Sequence, residues 1–273
     1  MNMMMIRTIL TGLILSAFAI AQPNSDQDMD GVPDAVDQCS NTPFLDEVNA
    51  EGCSTNKLFL PDEEDNDGLD VILGYGLNNN EDILGRETQH TTNLQISYYQ
   101  NDWSYSIRSG YFMANQEHGT LDTILKIKRK FKLNDTFKLG MGVGIKLPTY
   151  DYVGNKTDYT FYGSLSYYPI SDYSILAGVN YTFINDIEET VPLQDINAYY
   201  IGTGHFFTKN LYASISYSYA DSKFTTQHPT KALMGILFYK IDQKWYTTLS
   251  YRHEIDDDDL HNAFNIKLGY SIW

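Results

Sequence analysis

A chain of 273 residues with 35 acidic and 19 basic side chains carries a formal net charge of −16, which excludes the basic surface that a nucleic-acid-binding protein presents. Aromatic residues make up 14% of the chain, 22 of them tyrosines, and the mean hydropathy is negative. Beyond the first 21 residues no apolar run approaches the ~18 residues that a membrane-spanning helix needs. No phosphate-binding loop or zinc-ligand spacing appears.

Residues 1–21 read as a secretory signal peptide. Arg7 supplies the positive region, Ile9 to Ile20 the apolar region, and Ala19-Ile20-Ala21 a cleavage site before Gln22. Export places the two cysteines, Cys39 and Cys53, where a close pair forms a disulfide.

Residues 22–56 form a separate module. Residues 26–37 read DQDMDGVPDAVD, with oxygen ligands at positions 1, 3, 5, 9 and 12 and a glycine at 6. A hard cation such as Ca²⁺ takes six to eight oxygens, and the glycine permits the sharp turn. The expected ligands are Asp26, Asp28, Asp30, Asp34 and Asp37, with the Val32 carbonyl. The loop departs from an EF-hand in ending on Asp and in lacking flanking helix patterns. The run D-x-D-x-D-G-x-x-D-x-x-D-x-C, followed by Asn41-Thr42-Pro43 and Gly52-Cys53, resembles a thrombospondin type 3 repeat. That resemblance implies a calcium-binding linker of the kind found beside outer-membrane domains. The alternative is an acidic linker without metal. Residues 57–67 are an acidic linker, and residues 65–70 (DNDGLD) read as a turn into the first strand rather than a second calcium loop.

The acidity is concentrated in this N-terminal part. Residues 26–67 hold 13 acids against the single base Lys57, whereas residues 68–273 hold 22 acids and 17 bases.

From residue 68 onward, short polar pairs recur at Asn101-Asp102, Asn134-Asp135, Ser171-Asp172, Lys209-Asn210 and Asp242-Gln243, spaced by 33, 37, 38 and 33 residues. Longer polar segments lie between them, near 78–87, 115–121, 150–157, 186–196, 222–230 and 255–260. Each interval is therefore a strand, a long loop and a strand. The count predicts an all-β fold: a twelve-stranded antiparallel transmembrane β-barrel over 68–273, an up-and-down meander with both termini on the short-turn side, as in bacterial outer membranes.

The hairpin over 124–147 fixes the faces. Phe137, Leu139, Met141, Val143, Ile145 and Leu147 alternate with Lys138, Gly140, Gly142, Gly144 and Lys146, while Leu125, Ile127, Phe131 and Leu133 alternate with Lys126, Lys128, Lys130 and Lys132. Successive strand side chains point to opposite faces, so one face is apolar and one cationic. Pairing Leu133 with Phe137 sets Lys130, Lys128 and Lys126 opposite Gly140, Gly142 and Gly144. Arg129 breaks the pattern, since its parity points it at lipid; a bulge or a snorkelling position would account for it. The strands at 197–208 and 231–241 are apolar on both faces and cannot be oriented.

With the apolar face outward, the lumen is expected to be lined by Arg108, Lys126, Lys128, Lys130, Lys132, Lys138, Lys146, Arg252 and Lys267, with Asp70 the main inward acid. A Lys- and Arg-lined wall favours anions. The expected partners are outer-membrane lipid and small anionic or polar solutes. The alternative is a structural or adhesion protein whose barrel only anchors acidic surface loops. Catalysis is not expected: His118, His228 and His261 fall in loops, His90, His205 and His253 are isolated, and no His-x-Ser pair exists.

Three resemblances bear on the barrel. The last strand carries Phe264, Ile266, Leu268, Tyr270 and Ile272 on one face and ends on Trp273, similar to the C-terminal recognition signal of outer-membrane barrels. The corner Lys146-Leu147-Pro148-Thr149, followed by Asp158-Tyr159 and a Gly/Tyr-rich hairpin, resembles the outer-membrane proteins of the meta-pathway of phenol degradation, which implies a channel for small, often aromatic, molecules. The basic lumen of a twelve-stranded barrel is similar, in architecture alone, to the oligogalacturonate-specific porins.

Overall fold

The fold is seen in a computed structural model that describes residues 67–82, 85–114, 117–134, 136–151, 153–170, 172–188, 191–255 and 260–272, with residues 38, 46–48 and 54–57. The chain divides into two compact units, Met1–Leu58 and Phe59–Trp273. In the first, β1 (Asp46–Val48) and β2 (Ser54–Lys57) form an antiparallel ladder with an irregularity between Glu47 and Val48. The expected ligands Asp26, Asp28, Asp30, Val32, Asp34 and Asp37, and the cysteines Cys39 and Cys53, lie outside the described residues.

The second unit is a closed ring of twelve strands. In chain order they are β3 (Gly68–Asp82), β4 (Gly85–Gln100), β5 (Trp103–Ala114), β6 (Glu117–Lys132), β7 (Phe137–Leu147) and β8 (Asp158–Ile170). They continue with β9 (Tyr173–Phe183), β10 (Ile196–Thr208), β11 (Leu211–Ala220), β12 (Thr230–Lys240), β13 (Trp245–Glu254) and β14 (Leu260–Ser271). Every strand pairs antiparallel with its sequence neighbour, and β14 pairs with β3 to close the ring. Closure leaves no strand edge, the one sheet arrangement that hydrocarbon tolerates.

Local chemistry sets the register. Between β6 and β7 the Asn134 side-chain oxygen accepts from the Thr136 and Phe137 amides and the Thr136 hydroxyl, at 2.9, 2.8 and 2.9 Å. That turn locks Lys126, Lys128 and Lys130 opposite Gly144, Gly142 and Gly140, the pairing expected from the sequence. Between β4 and β5, Asn101 takes a φ of 51°, a left-handed conformation that asparagine tolerates and a two-residue hairpin requires.

Two connections differ from the sequence reading. The described residues of the segments near 78–87 and 115–121 are strand rather than loop: β3 and β4 stay paired to Asp82 and Gly85, and β5 and β6 to Ala114 and Glu117. Their residues are polar because these hairpin ends rise beyond hydrocarbon, where a ladder needs no apolar face. Asn78–Gln89 and Thr88–Asn79 side-chain bonds support them instead.

The outward face is apolar from β3 to β14. Leu73, Leu94, Ile107, Met113, Met141, Phe161, Val179, Ile201, Ile215, Leu233 and Leu268 are all exposed. Aromatic pairs mark both rims. Trp103–Tyr105, Phe137–Tyr167 and Trp245–Tyr270 lie beside short turns, and Tyr199–Tyr219 and Phe161–Phe183 toward the long loops. An apolar band between aromatic girdles is what a lipid bilayer selects, so the second unit is a barrel of the bacterial outer membrane, where short turns characteristically face the periplasm.

Candidate functional site

The inward face of the ring follows from the ladder pairs, because directly opposed residues share a face. From Lys126 the row runs through Ser106, Ser97 and Asp70 in one direction and Gly144, Thr160 and Thr182 in the other. All nine cations expected in the lumen have this inward parity. The same rows orient the two strands that the sequence left open: Tyr200, Gly202, Gly204 and Phe206 of β10, and Ala232, Met234, Ile236 and Phe238 of β12, turn inward. The lumen therefore has a cationic wall on β5–β7 and β14 and a neutral wall on β9–β11, which continues on β12 as far as Phe238 and ends at Lys240, an inward cation that the sequence reading did not count. Sequence parity could not orient β10 and β12, since their inward residues are mostly apolar or glycine, as their outward ones are apolar.

Arg108, Lys126, Lys128 and Lys267 form the centre of the cationic wall. Lys126 lies close enough to Arg108, Lys267 and Lys128 to feel their charges, and Lys267 feels that of Arg108. Among the described residues no carboxylate comes within 4.0 Å of any of the four. The Lys126 ammonium instead stands 5.6 Å from the Tyr162 ring. The glycines of β7 make room: a Cβ on Gly140 would meet Lys128 Cε at 2.5 Å and Ser164 Oγ at 2.6 Å. Lys132 and Lys138 oppose each other at the short-turn mouth.

A cavity of about 240 Å³ lies near that mouth, touching Lys130 of β6 and Phe238 and Lys240 of β12. In a ring of twelve those strands are diametrically opposite, so the cavity lies inside the lumen. Lys267, Tyr246 and Asp70 also reach it. The Asp70 carboxylate accepts from Tyr246 at 2.9 Å and Ser271 at 2.7 Å.

The long-loop mouth has a different character. Lys146 points inward as expected, but three carboxylates hold it: Asp158 at 2.7 Å, Asp186 at 2.9 Å and Asp122 at 3.7 Å, with the Asn155 amide oxygen at 3.1 Å. It is a clamp between loops rather than an open cation. Asp186 also accepts from the Lys156 amide at 2.8 Å and lies 3.7 Å from Lys223. Asp122 accepts from the Tyr150 and Asn155 amides, and the Tyr150 ring packs edge-on against inward Phe112 at 5.5 Å. The 148–157 loop thus dips into the mouth. Arg252 is likewise compensated, by Glu254 at 3.1 Å. Asp158 and Glu254 are inward acids that the sequence reading did not count, because each sits at the end of its strand.

Acids held by interloop pairs thus stand at the loop mouth, and cations without a carboxylate partner among the described residues stand in mid-lumen. No nucleophile–base pair lines the lumen among the described residues; His205 lies 3.8 Å from Asp172 at the opposite, short-turn rim.

No protein-family model matches the sequence, and no curated protein is similar to it in sequence. Solved structures do match in fold. An outer-membrane channel from Pseudomonas putida F1 superposes with a TM-score of 0.65 at 10% identity, covering 76% of this chain and 96% of that one. The NanC porin gives 0.54 at 15% identity over 74% and 98%. The KdgM porin in complex with disordered oligogalacturonate gives 0.51 at 15% over 73% and 98%. The barrel is therefore similar in fold to outer-membrane channels.

Proposed function

We propose that the barrel is a diffusion channel for small solutes that prefers anions, and that residues 22–56 form a periplasmic module stabilised by Ca²⁺ and a Cys39–Cys53 bridge. The observation that carries the anion preference is the group Arg108, Lys126, Lys128 and Lys267, four inward cations with no carboxylate within 4.0 Å among the described residues. A pore wall of this kind lowers the barrier for anions and raises it for cations. Fold neighbours described as channels and porins, one solved with oligogalacturonate, support a solute pathway. The calcium module rests on the spacing of Asp26, Asp28, Asp30, Asp34 and Asp37 and its resemblance to a thrombospondin type 3 repeat.

The experiment is reconstitution of the purified protein in planar bilayers, with Lys126, Lys128 and Lys130 together replaced by Glu in a second sample. The native protein conducts, and the variant moves its reversal potential toward cations while keeping its fold, because the outward face is unchanged. Equal potentials for the two proteins would overturn the role of the wall. The anchor reading has one observation in its favour, the Lys146 clamp that draws loops over the mouth. It predicts no conductance at all.

A further inference from the structure

Arg129 has no part in the lumen. Its side chain is exposed on the lipid-facing wall, with its guanidinium carbon 5.3 Å from the Trp103 ring centre and 4.9 Å from that of Phe131. At these distances the guanidinium is attracted to both rings, a contact that consumes none of its N–H donors as hydrogen bonds. Among the described residues no protein acceptor meets those donors. Arg129 pairs in register with Trp103, the first residue after the Asn101-Asp102 turn, which sets it at the periplasmic rim of the apolar band.

An apolar groove of about 940 Å³ begins there. Its floor follows one register row across the outside of the barrel: Trp103, Arg129, Met141, Gly163, Val179 and Tyr199. Gly163 is the notch in that floor, between Met141 at 54% exposure and Val179 at 61%. With strands ~4.8 Å apart, the five steps from Trp103 to Tyr199 span about 24 Å. Tyr199 sits near the long-loop end of β10, so the groove climbs obliquely from the periplasmic rim through most of the hydrocarbon.

We propose that this groove holds one phospholipid of the periplasmic leaflet, its phosphate on Arg129 and one acyl chain laid along the Gly163 notch. An arginine facing hydrocarbon is costly unless it reaches an anionic headgroup. Its planar fork matches two phosphate oxygens in a way that a lysine would not. Lipid tails are as apolar as the groove, so burial alone gives the chain little preference for it. The headgroup therefore supplies most of the selectivity, and the notch sets the position of the tail. A second barrel is the less favoured occupant, because a two-fold contact through this face would bring two Arg129 charges together.

The test is native mass spectrometry of the folded full-length protein in detergent, titrated with phosphatidylglycerol or with diacylglycerol of the same chains. The wild type retains a single phosphatidylglycerol about tenfold more tightly than diacylglycerol, the ratio expected from one charge-assisted contact. Arg129→Gln brings that ratio to about one. Gly163→Phe, which fills a notch where a Cβ meets nothing nearer than 3.7 Å, weakens both lipids alike. Neither variant changes the reversal potential of the pore, so the outcome is independent of the channel reading. The proposal is overturned if Arg129→Gln retains phosphatidylglycerol as the wild type does. It is also overturned if lipids load in equal steps with no preferred first one, or if the species observed is a lipid-free dimer.

Discussion

Replacing Lys146 by Met keeps the length of the side chain and removes its charge. Asp158, Asp186 and Asp122, whose side chains are 5%, 11% and 20% exposed, are then left with one cation, Lys223, 3.7 Å from Asp186. Removing one partner of a fully buried ion pair costs about 3–5 kcal/mol. Lys146 is 22% exposed, so water recovers part of this, and about 2 kcal/mol is the expected loss. The loss falls on the loops rather than on the closed ladder. Two amides report it: Lys156, which donates to Asp186 at 2.8 Å, and Asn185, which donates to Asp158 at 2.8 Å. Their hydrogen exchange in Lys146→Met should accelerate roughly thirtyfold, while mid-strand amides are unchanged. The pH dependence follows from Asp186. Burial pushes its carboxyl upward, but the Lys156 amide and the Lys146 and Lys223 ammonium groups outweigh that and hold it below its ordinary 3.8. A carboxyl depressed by folding contributes stability above its unfolded pKa and loses it as pH falls through the folded value. The gap between variant and wild type is therefore constant near neutrality and closes only below about pH 4. Exchange within about twofold of wild type at both amides would refute the clamp, as would equal acceleration along the strands.

Further outcomes follow from other parts of the molecule. Gly154 has a φ of 93° and a Cβ there would collide with the Ile187 carbonyl, so Gly154→Ala should break the 2.8 Å bond from Ile187 N–H to the Gly154 carbonyl and expose Lys156 to trypsin without unfolding the barrel. Folded protein should migrate differently on a detergent gel before and after boiling, since every barrel strand is paired on both sides. Asp30→Ala should abolish calcium uptake by the full-length protein at millimolar Ca²⁺ in calorimetry, leaving that gel shift intact. The oxidised protein should offer no free thiol to a thiol reagent at Cys39 or Cys53.

Most of the barrel was legible because lipid on one side and water on the other impose a period of two wherever the wall is in the membrane. The β6–β7 hairpin is the clearest case: its apolar alternation and the Asn134 turn together specify the register. Legibility failed where that contrast fails. Above the bilayer the β3–β4 and β5–β6 ends are wet on both faces, so polar residues such as Asn78 and Asn79 looked like loop while their backbones stayed paired. On β10 and β12 both faces are apolar, and only the closed ladder shows which of Tyr199 and Tyr200 faces lipid. The cations show a third kind of limit. Parity places Lys146 and Lys126 alike in the lumen, but Asp186 reaches Lys146 from a loop 40 residues away, a contact that no local pattern carries.

The anion-preferring lumen is tested most directly by the reversal potential of the wild-type channel in a salt gradient at low ionic strength. At ~0.1 M salt the Debye length is ~10 Å, so on the proposed reading Arg108, Lys126, Lys128 and Lys267 act on ions in the lumen and the potential takes the sign for anions despite a formal charge of −16. Raising the salt should shrink that preference as the wall is screened. A potential of the sign for cations would contradict the account, and would show that the acids of the loop mouth, not the mid-lumen cations, control the pore.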